Sequence, residues 1–302
     1  MTLVPPYLKP GDTVGVTCPA GDFSLQDVSA AVEALESWGF RVKLGSTVGA
    51  RYYQFSAPDA ERARDLQQML DAPDIRAVLF ARGGYGTIRI IDRIHFNRFY
   101  LQPKWLCGYS DITVLHAHIQ TQIHIPTVHS EMCIDLKYGN ADASAASIRR
   151  ALTGETLRYE LRSDPLNRPG SAGGLLVGGN LSTLCSLMGS ASELQTDGKI
   201  LFLEEVHEPL YSIDRMMQCL KRAGKLRFLE GLILGGFTHI PEQQGVPFGM
   251  SPYEIIAEAV EDRHYPVSFG FPAGHEYANY ALRLGMPHRL EVNREASLLE
   301  EL

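Results

Sequence analysis

Long apolar runs are missing from this sequence, and none approaches the roughly 18 residues that a membrane-spanning helix needs. The segment Met1–Pro10 also lacks the basic start and the apolar stretch of a secretory signal. We therefore expect no membrane span and no leader peptide.

Cysteine is scarce and scattered. The five cysteines are Cys18, Cys107, Cys133, Cys185 and Cys219. No two of them stand at metal-ligand spacing, and no His-Glu-x-x-His pattern occurs. An odd number of widely separated cysteines suits a reducing compartment. The sequence thus predicts no disulfide framework, no metal and a cytoplasmic location.

An excess of basic residues is also absent. Lysine and arginine number 28 against 35 acidic residues, which gives a net charge of −7. No basic run is interleaved with aromatic residues, so we expect neither a nucleic-acid partner nor binding to an anionic membrane. With 302 residues, of which 45% are hydrophobic, the chain is long enough for two globular domains.

Strands and helices alternate along the first half of the sequence. Predicted strands are 12–18, 40–44, 75–80, 105–107 and 123–128. Predicted helices are 25–38, 59–70, a stretch that follows Gly86 to about Ile94, 111–122 and 143–152. This alternation predicts an α/β fold with a parallel sheet, in which functional sites lie beyond the carboxyl ends of the strands.

The composition changes after the last of these helices. Residues 162–174 are rich in proline, glycine and serine and are typical of a linker. We therefore expect an N-terminal α/β domain over residues 1–164 and a smaller C-terminal β/α domain over 165–302.

One candidate site follows the apolar strand Trp105–Cys107. There Gly108-Tyr-Ser-Asp111 forms a predicted strand–turn–helix junction, which would expose the Ser110 hydroxyl beside a backbone N–H group. The spacing differs from a G-x-S-x-G elbow, because Ile112 replaces the second glycine. Alternatively, Ser110 or Asp111 simply caps the following helix.

A second candidate is the glycine cluster Arg82-Gly-Gly-Tyr-Gly86, which follows the strand 75–80. Its N–H groups could form an oxyanion hole or hold a phosphate, although it matches neither a P-loop nor a dinucleotide fingerprint. A tight turn is the alternative interpretation.

Glu204 and Glu205 end a predicted buried strand, and His275 lies in a glycine-rich loop. One of these glutamates and His275 could form a catalytic triad with Ser110, in the chain order Ser…Glu…His. The residues alone leave open that the glutamates are merely solvated and that His275 is a surface histidine.

Several motifs, taken in order, resemble those of one known family. They are Leu8-Lys-Pro-Gly-Asp-Thr-Val-Gly-Val16, Glu61-Arg-Ala-Arg-Asp-Leu66, Ala81-Arg-Gly-Gly-Tyr-Gly86, Gly108-Tyr-Ser-Asp-Ile-Thr113, Gly178-Gly-Asn-Leu-Ser182, Leu201-Phe-Leu-Glu-Glu205, Tyr211-Ser-Ile-Asp-Arg215 and Gly270-Phe-Pro-Ala-Gly-His275. Together they cover nearly the whole chain. The sequence resembles the serine LD-carboxypeptidases of peptidoglycan recycling, a family that includes the microcin-C self-immunity peptidases.

The resemblance implies a Ser-His-Glu triad, with Ser110 as nucleophile, His275 as general base and Glu204, rather than Glu205, as the residue that orients His275. It implies an oxyanion hole from the N–H groups of Gly84 (with Gly83 as the alternative) and Asp111. The implied fold is a flavodoxin-like or class I glutamine-amidotransferase-like N-terminal domain with a smaller C-terminal β/α domain. Family members are usually dimers with the site between domains, and the resemblance implies no metal or organic cofactor.

The implied reaction is hydrolysis of the L,D-peptide bond to the terminal D-alanine of a murein tetrapeptide. The alternatives are an immunity-type peptidase that cleaves peptidyl- or aminoacyl-nucleotide conjugates, and a non-catalytic muropeptide-binding protein. Both tryptophans, Trp38 and Trp105, precede residue 110, so no C-terminal tryptophan is present to clamp an adenine. One departure concerns the substrate: His129-Ser-Glu-Met132 stands where the family often has His-Gly-Pro-Met, so that Glu131 replaces a proline.

Overall fold

The computed structural model describes residues 3–136, 143–241 and 245–302. The chain divides into two compact units, Met1–Glu155 with Tyr280–Leu284, and Thr156–Asn279 with Gly285–Leu302. The predicted boundary at 164/165 lies later in the chain and stays a prediction. Met1 and Thr2, part of the segment used to argue against a leader peptide, lie outside the described residues. No described helix is both long and apolar enough to span a bilayer.

The first unit is built on a sheet whose strands are β1 (Thr13–Thr17), β2 (Arg41–Leu44), β3 (Ile75–Phe80), β4 (Trp105–Gly108), β5 (Thr127–His129) and β11 (Leu282–Leu284). The strand order is β11-β5-β4-β3-β1-β2, and all pairs are parallel except β11 with β5. The order 2-1-3-4-5 of the parallel strands is that of flavodoxin-like folds, which confirms the predicted N-terminal architecture.

Helices of the first unit are α1 (Leu25–Ser37), α2 (Asp59–Asp71), α3 (Asn97–Leu101), α4 (Thr113–Gln122), α5 (Cys133–Leu136) and α6 (Ala143–Thr153). The α1 helix shows why the helical spacing was informative. Val28, Ala31 and Leu35 are buried along one face, and the Ser24 hydroxyl accepts a hydrogen bond from the Asp27 N–H at the start of the helix.

The helix predicted to follow Gly86, to about Ile94, is wrong. Two 3-10 turns, Thr87–Arg89 and Ile91–Arg93, occupy this stretch. Gly86 has a φ of 143°, outside the helical range, and the Thr87 N–H donates to the Asp111 carboxylate instead of to a helical carbonyl. A long-range hydrogen bond therefore overrides the local helical preference.

The second unit is built on another sheet, with β6 (Arg158–Arg162), β7 (Gly170–Asn180), β8 (Lys199–Val206), β9 (Gly231–Thr238), β10 (Val267–Ser268), β12 (Pro287–Val292) and β13 (Ala296–Glu301). Its order is β10-β9-β8-β7-β12-β13-β6, with β7 to β10 parallel and the remaining pairs antiparallel. The helices are α7 (Leu181–Ser186), α8 (Leu210–Arg222) and α9 (Pro252–Ala259). The predicted C-terminal β/α fold is confirmed.

The predicted linker 162–174 is wrong over part of its length. Residues 170–174 belong to β7 and pair with β12, from Gly170 opposite Val292 to Gly174 opposite His288. Strand pairing is made by backbone N–H and C=O groups, so a glycine- and serine-rich segment can pair when a neighbouring strand is present. The amino-acid composition of residues 162–174 describes their side chains only, so it could not reveal that β12 pairs with their backbone.

Candidate active site

Ser110 sits on a strained turn directly after β4. Its φ of 61° is in the left-handed region, and the 3-10 turn Ser110–Ile112 leads into α4. Such a conformation costs on the order of 1–3 kcal/mol for a residue other than glycine and is found preferentially at functional sites. Neither this turn nor α4 begins with a side-chain cap hydrogen bond. The alternative that Ser110 or Asp111 caps the following helix is therefore wrong.

The glycine cluster after β3 passes directly against Ser110. A Cβ atom built on Gly83 would lie 3.0 Å from Ser110 Cβ and 3.1 Å from Ser110 Oγ. A side chain at position 83 would therefore crowd Ser110, and glycine avoids this contact. Gly84, the next residue, has a φ of 104°, a conformation that suits glycine. The tight-turn and oxyanion-hole interpretations are thus compatible, because the turn lies beside the candidate nucleophile.

Asp111 joins the serine turn to the glycine cluster. The Thr87 N–H donates to Asp111 Oδ2 at 2.8 Å, and Asp111 is only 6% exposed. Burial raises the pKa of this carboxyl group, while hydrogen bonds from Thr87 and Gly86 and the charge of Arg62 oppose the rise. The residue expected to donate its N–H to an oxyanion therefore also holds the neighbouring loop through its side chain.

Arg62 packs against the glycine cluster Arg82–Gly86. This fully buried side chain of α2 donates to the carbonyls of Pro19 and Ala57 and pairs with Asp59. A Cβ atom on Gly86 would lie 2.5 Å from Arg62 Nη1. The buried guanidinium thus packs against the end of the glycine cluster.

His116 fixes the end of β4. Its Nε2 lies 2.8 Å from the Gly108 carbonyl oxygen, and the side chain is fully buried. Burial lowers the pKa of His116 to about 4, so the ring is neutral at pH 7 and its Nε2–H donates to Gly108. His116 is therefore a structural residue of the serine turn.

The departure at Glu131 also lies in this unit. Glu131 is 2% exposed and follows β5, and the Ser130 N–H donates to the Gly108 carbonyl at 3.2 Å. The Cε atom of Met132 lies 3.4 Å from a Cβ atom built on Gly83. The unusual segment thus packs against both the serine turn and the glycine cluster.

In the second unit, Glu204 and His275 meet at the carboxyl end of β8. His275 Nδ1 lies 2.7 Å from Glu204 Oε2; the Glu204 side chain is 0% exposed and that of His275 is 19% exposed. A Cβ atom on Gly274 would lie 2.6 Å from Glu204 Cβ, so glycine permits the histidine loop to reach the buried carboxylate. In the tautomer in which Nδ1–H donates to Glu204, the lone pair of the neutral ring lies on Nε2.

Glu205 has different partners. It accepts hydrogen bonds from Asn180 Nδ2 at 3.0 Å, from the Ser182 N–H at 2.6 Å and from the Val206 N–H at 2.9 Å. Burial raises the pKa of Glu205, and the charge of Glu204 contributes to the rise. Neither glutamate is simply solvated, since Glu204 binds the histidine and Glu205 stabilises the start of α7.

Two residues that the sequence did not single out hold the His275 loop. The Thr238 hydroxyl donates to the His275 carbonyl at 2.7 Å, and the Gly274 N–H donates to Asn279 Oδ1 at 2.9 Å. Thr238 could have been found as the last residue of a strand whose carboxyl end lies beside β8. No sequence signal pointed to Asn279.

Comparison with known proteins gives the family. Residues 14–130 match the family model for the LD-carboxypeptidase N-terminal domain, and residues 173–290 match that for the LD-carboxypeptidase C-terminal domain. The chain is 33% identical over 302 residues to a probable murein peptide carboxypeptidase of Bacillus subtilis (98% of this chain, 94% of the relative). It is 32% identical over 295 residues to a murein tetrapeptide carboxypeptidase of Pseudomonas aeruginosa (93% and 94%).

More distant relatives agree with this assignment. The chain is 25% identical over 330 residues to the microcin C7 self-immunity protein MccF of Escherichia coli (97% and 96%). A crystal structure of muramoyltetrapeptide carboxypeptidase from Oxalobacter formigenes superposes with a TM-score of 0.86 at 25% identity (96% and 98%). The protein is therefore a serine-type carboxypeptidase by class, and the chain belongs to the LD-carboxypeptidase family.

Proposed function

We propose that this enzyme removes the terminal D-alanine from murein tetrapeptides through a Ser110–His275–Glu204 triad. The observation that carries the catalytic assignment is the 2.7 Å contact between His275 Nδ1 and the buried Glu204 carboxylate. The choice of substrate is supported by the two relatives above 30% identity, whose names refer to murein peptides.

In the proposed reaction, Ser110 Oγ attacks the carbonyl carbon of the L-centre while His275 Nε2 accepts the hydroxyl proton. Glu204 stabilises the imidazolium that forms. Collapse of the tetrahedral intermediate breaks the C–N bond, and His275 returns its proton to the departing amine of D-alanine. Water, deprotonated by His275, then hydrolyses the acyl-enzyme and regenerates Ser110.

The oxyanion of both tetrahedral intermediates would bind to the N–H groups of Gly84 and Asp111. This part of the proposal is supported by the approach of the glycine cluster to Ser110 and by the link from Thr87 to Asp111. Gly83 is the alternative donor, and its carbonyl accepts a hydrogen bond from the Gly21 N–H at 3.1 Å. That bond orients the peptide between Gly83 and Gly84.

The runner-up substrate class is a peptidyl- or aminoacyl-nucleotide conjugate, which the resemblance to the microcin-C self-immunity peptidases implies. Identity to that relative is 25%, against 33% and 32% for the murein peptidases, which favours murein. Buried Glu131 is the residue of this chain that could change the preference.

We further propose that the enzyme works in the cytoplasm as a homodimer, as the resemblance implies. The odd number and wide separation of the five cysteines support a reducing compartment. Light scattering at several concentrations tests the dimer, and a constant monomer mass would contradict it.

The deciding experiment is mass spectrometry of a murein tetrapeptide incubated with the wild-type protein or with Ser110→Ala. We expect the mass of one alanine to be lost with the wild type only. If neither protein cleaves, an aminoacyl-sulfamoyl adenosine is the next substrate. If a serine-reactive phosphonate also fails to label Ser110, the muropeptide-binding alternative is favoured.

A further inference from the structure

Two histidines of the second unit have an unusual backbone conformation. In the described part of the chain, five residues other than glycine have a positive φ: Tyr53, Ser110, His124, His207 and His239. His207 has a φ of 64° and His239 a φ of 50°. Because neither residue is glycine, both conformations are strained and must be held by the surrounding structure. Ser110, the candidate nucleophile, also has a positive φ and is strained in the same way.

The two histidines follow strands whose ends are linked to the His275 loop through Thr238. His207 directly follows β8, three positions after Glu204, and His239 directly follows β9. The His207 N–H donates to the Thr238 carbonyl at 3.1 Å, and the Thr238 hydroxyl donates to the His275 carbonyl at 2.7 Å. One residue, Thr238, therefore connects His207 and His275, and it also precedes His239 in sequence.

Their side chains form an exposed pair. The imidazole rings of His207 and His239 stack with centroids 5.2 Å apart and planes inclined by 30°. Both residues are exposed. Within the described ranges their ring nitrogens make no hydrogen bond or ion pair, so their N–H groups are available to a ligand.

The proposed reaction requires a receptor near His275. In the substrate, the leaving nitrogen and the terminal carboxylate are attached to the same Cα atom of D-alanine. The group that binds the carboxylate must therefore neighbour the group that protonates the nitrogen, which is His275. Hydrogen bonds to a carboxylate are stronger than those between neutral groups, and imidazole provides N–H donors in either protonation state.

We propose that His207 and His239 form the subsite for the terminal carboxylate of the substrate. The subsite rests on the proposed function, since it assumes that His275 protonates the leaving amine. The ligand of this subsite is the free α-carboxylate of the departing amino acid. The subsite therefore favours a peptide with a free C-terminus over the same peptide with a blocked C-terminus. The two residues act in substrate selection and take no part in the chemical steps.

The test compares a murein tetrapeptide with its C-terminal amide. Affinity is measured by calorimetry in the Ser110→Ala background, so that neither ligand is consumed. Loss of one hydrogen bond to a charged group weakens binding by about 10- to 100-fold. We expect His207→Ala and His239→Ala each to weaken binding of the acid by that factor and to leave the amide unchanged. His264→Ala is the matched control, since His264 is an exposed histidine that precedes β10, and it should change neither affinity.

Glycine variants separate loss of the imidazole from misfolding of the alanine variants. His207→Gly and His239→Gly suit the positive φ and remove the imidazole, so they should fold and show the same loss. An acid-to-amide affinity ratio that stays at the wild-type value in the double glycine variant would overturn the subsite, as would an absence of binding to Ser110→Ala. Turnover of the tetrapeptide by the wild type is measured separately, and its failure would contradict the proposed function instead.

Discussion

His275 Nδ1 and Glu204 Oε2 lie 2.7 Å apart, in a place where the carboxylate is fully shielded from solvent. The other carboxylate oxygen, Oε1, has no hydrogen-bond partner among the described residues. A buried carboxylate with one partner favours a positive charge on that partner. This pair is therefore suited to stabilise the imidazolium that the proposed mechanism requires at His275.

Replacing the proposed nucleophile should abolish catalysis without unfolding the protein. Ser110→Ala removes only the Oγ atom from a residue whose backbone is already strained, so the unfolding free energy should change little. We expect turnover of the tetrapeptide to fall by about 10⁴-fold or more, as for loss of other triad serines. Quantitative mass spectrometry of released D-alanine measures the change. Activity near that of the wild type would show that another residue is the nucleophile.

The two adjacent glutamates should respond differently to the same substitution. Glu204→Gln replaces the partner of His275 with an amide that favours the wrong tautomer, so kcat should fall by about 10³–10⁴-fold. Glu205→Gln should mainly reduce stability, by about 1–3 kcal/mol, because the Asn180, Ser182 and Val206 hydrogen bonds are weakened.

Kinetics and chemical denaturation of both glutamine variants separate these effects. The reverse pattern, with catalysis lost in Glu205→Gln only, would assign the orienting role to Glu205. Equal losses of kcat would show that the two carboxylates act as one unit.

Asp111→Ala should disturb the proposed oxyanion hole through the glycine cluster. Without the acceptor for the Thr87 N–H, the loop is no longer fixed to the serine turn. Loss of an oxyanion donor typically lowers kcat by about 10²–10³-fold, and we expect a decrease up to this size with little change in KM. Asp111→Asn keeps an acceptor oxygen and should retain most of the activity. If the alanine variant loses stability but keeps its kcat, the Asp111 side chain has only a structural role.

Stability should depend on pH through His116. Its folded pKa of about 4 lies below the usual value of 6.5, so the unfolded chain binds more protons between these two pH values. The free energy of unfolding should therefore fall as pH is lowered from about 6.5 to about 4, by up to about 3 kcal/mol from this residue. Urea unfolding of the wild type and of His116→Gln across this range measures the contribution.

Other groups titrate in the same pH range. The contribution of His116 is therefore the difference in unfolding free energy between the wild type and His116→Gln. His116→Gln should lose the part of the slope that comes from the histidine, whereas a control substitution at exposed His264 should not. Parallel pH profiles for wild type and His116→Gln would contradict the low folded pKa.

Much of the architecture could be predicted from sequence because it depends on local patterns. The alternation of strands and helices predicted the parallel sheet, and β3 was predicted with its observed bounds, Ile75–Phe80. The predicted strand 123–128 is also displaced, since β5 is Thr127–His129. The mispredicted helix after Gly86 and the mispredicted linker share a cause, since each depends on a distant partner. The Asp111 carboxylate competes for the Thr87 N–H, and β12 pairs with Gly170–Gly174.

The sequence by itself determined the chemistry that is present. It places a serine, two glutamates, a histidine and a glycine cluster after predicted strands or in a glycine-rich loop, and the order of these motifs identifies the family. Only the tertiary structure decided their contacts. It places Glu204, and not Glu205, against His275 across 71 residues of chain, and it brings His207 and His239 together at the ends of two parallel strands. The pairing of β8 with β9 shifts register between Leu203 and Glu205, so strand alternation alone does not decide which of the two adjacent glutamates meets the histidine. The packing of the histidine loop against the end of β8 decides it.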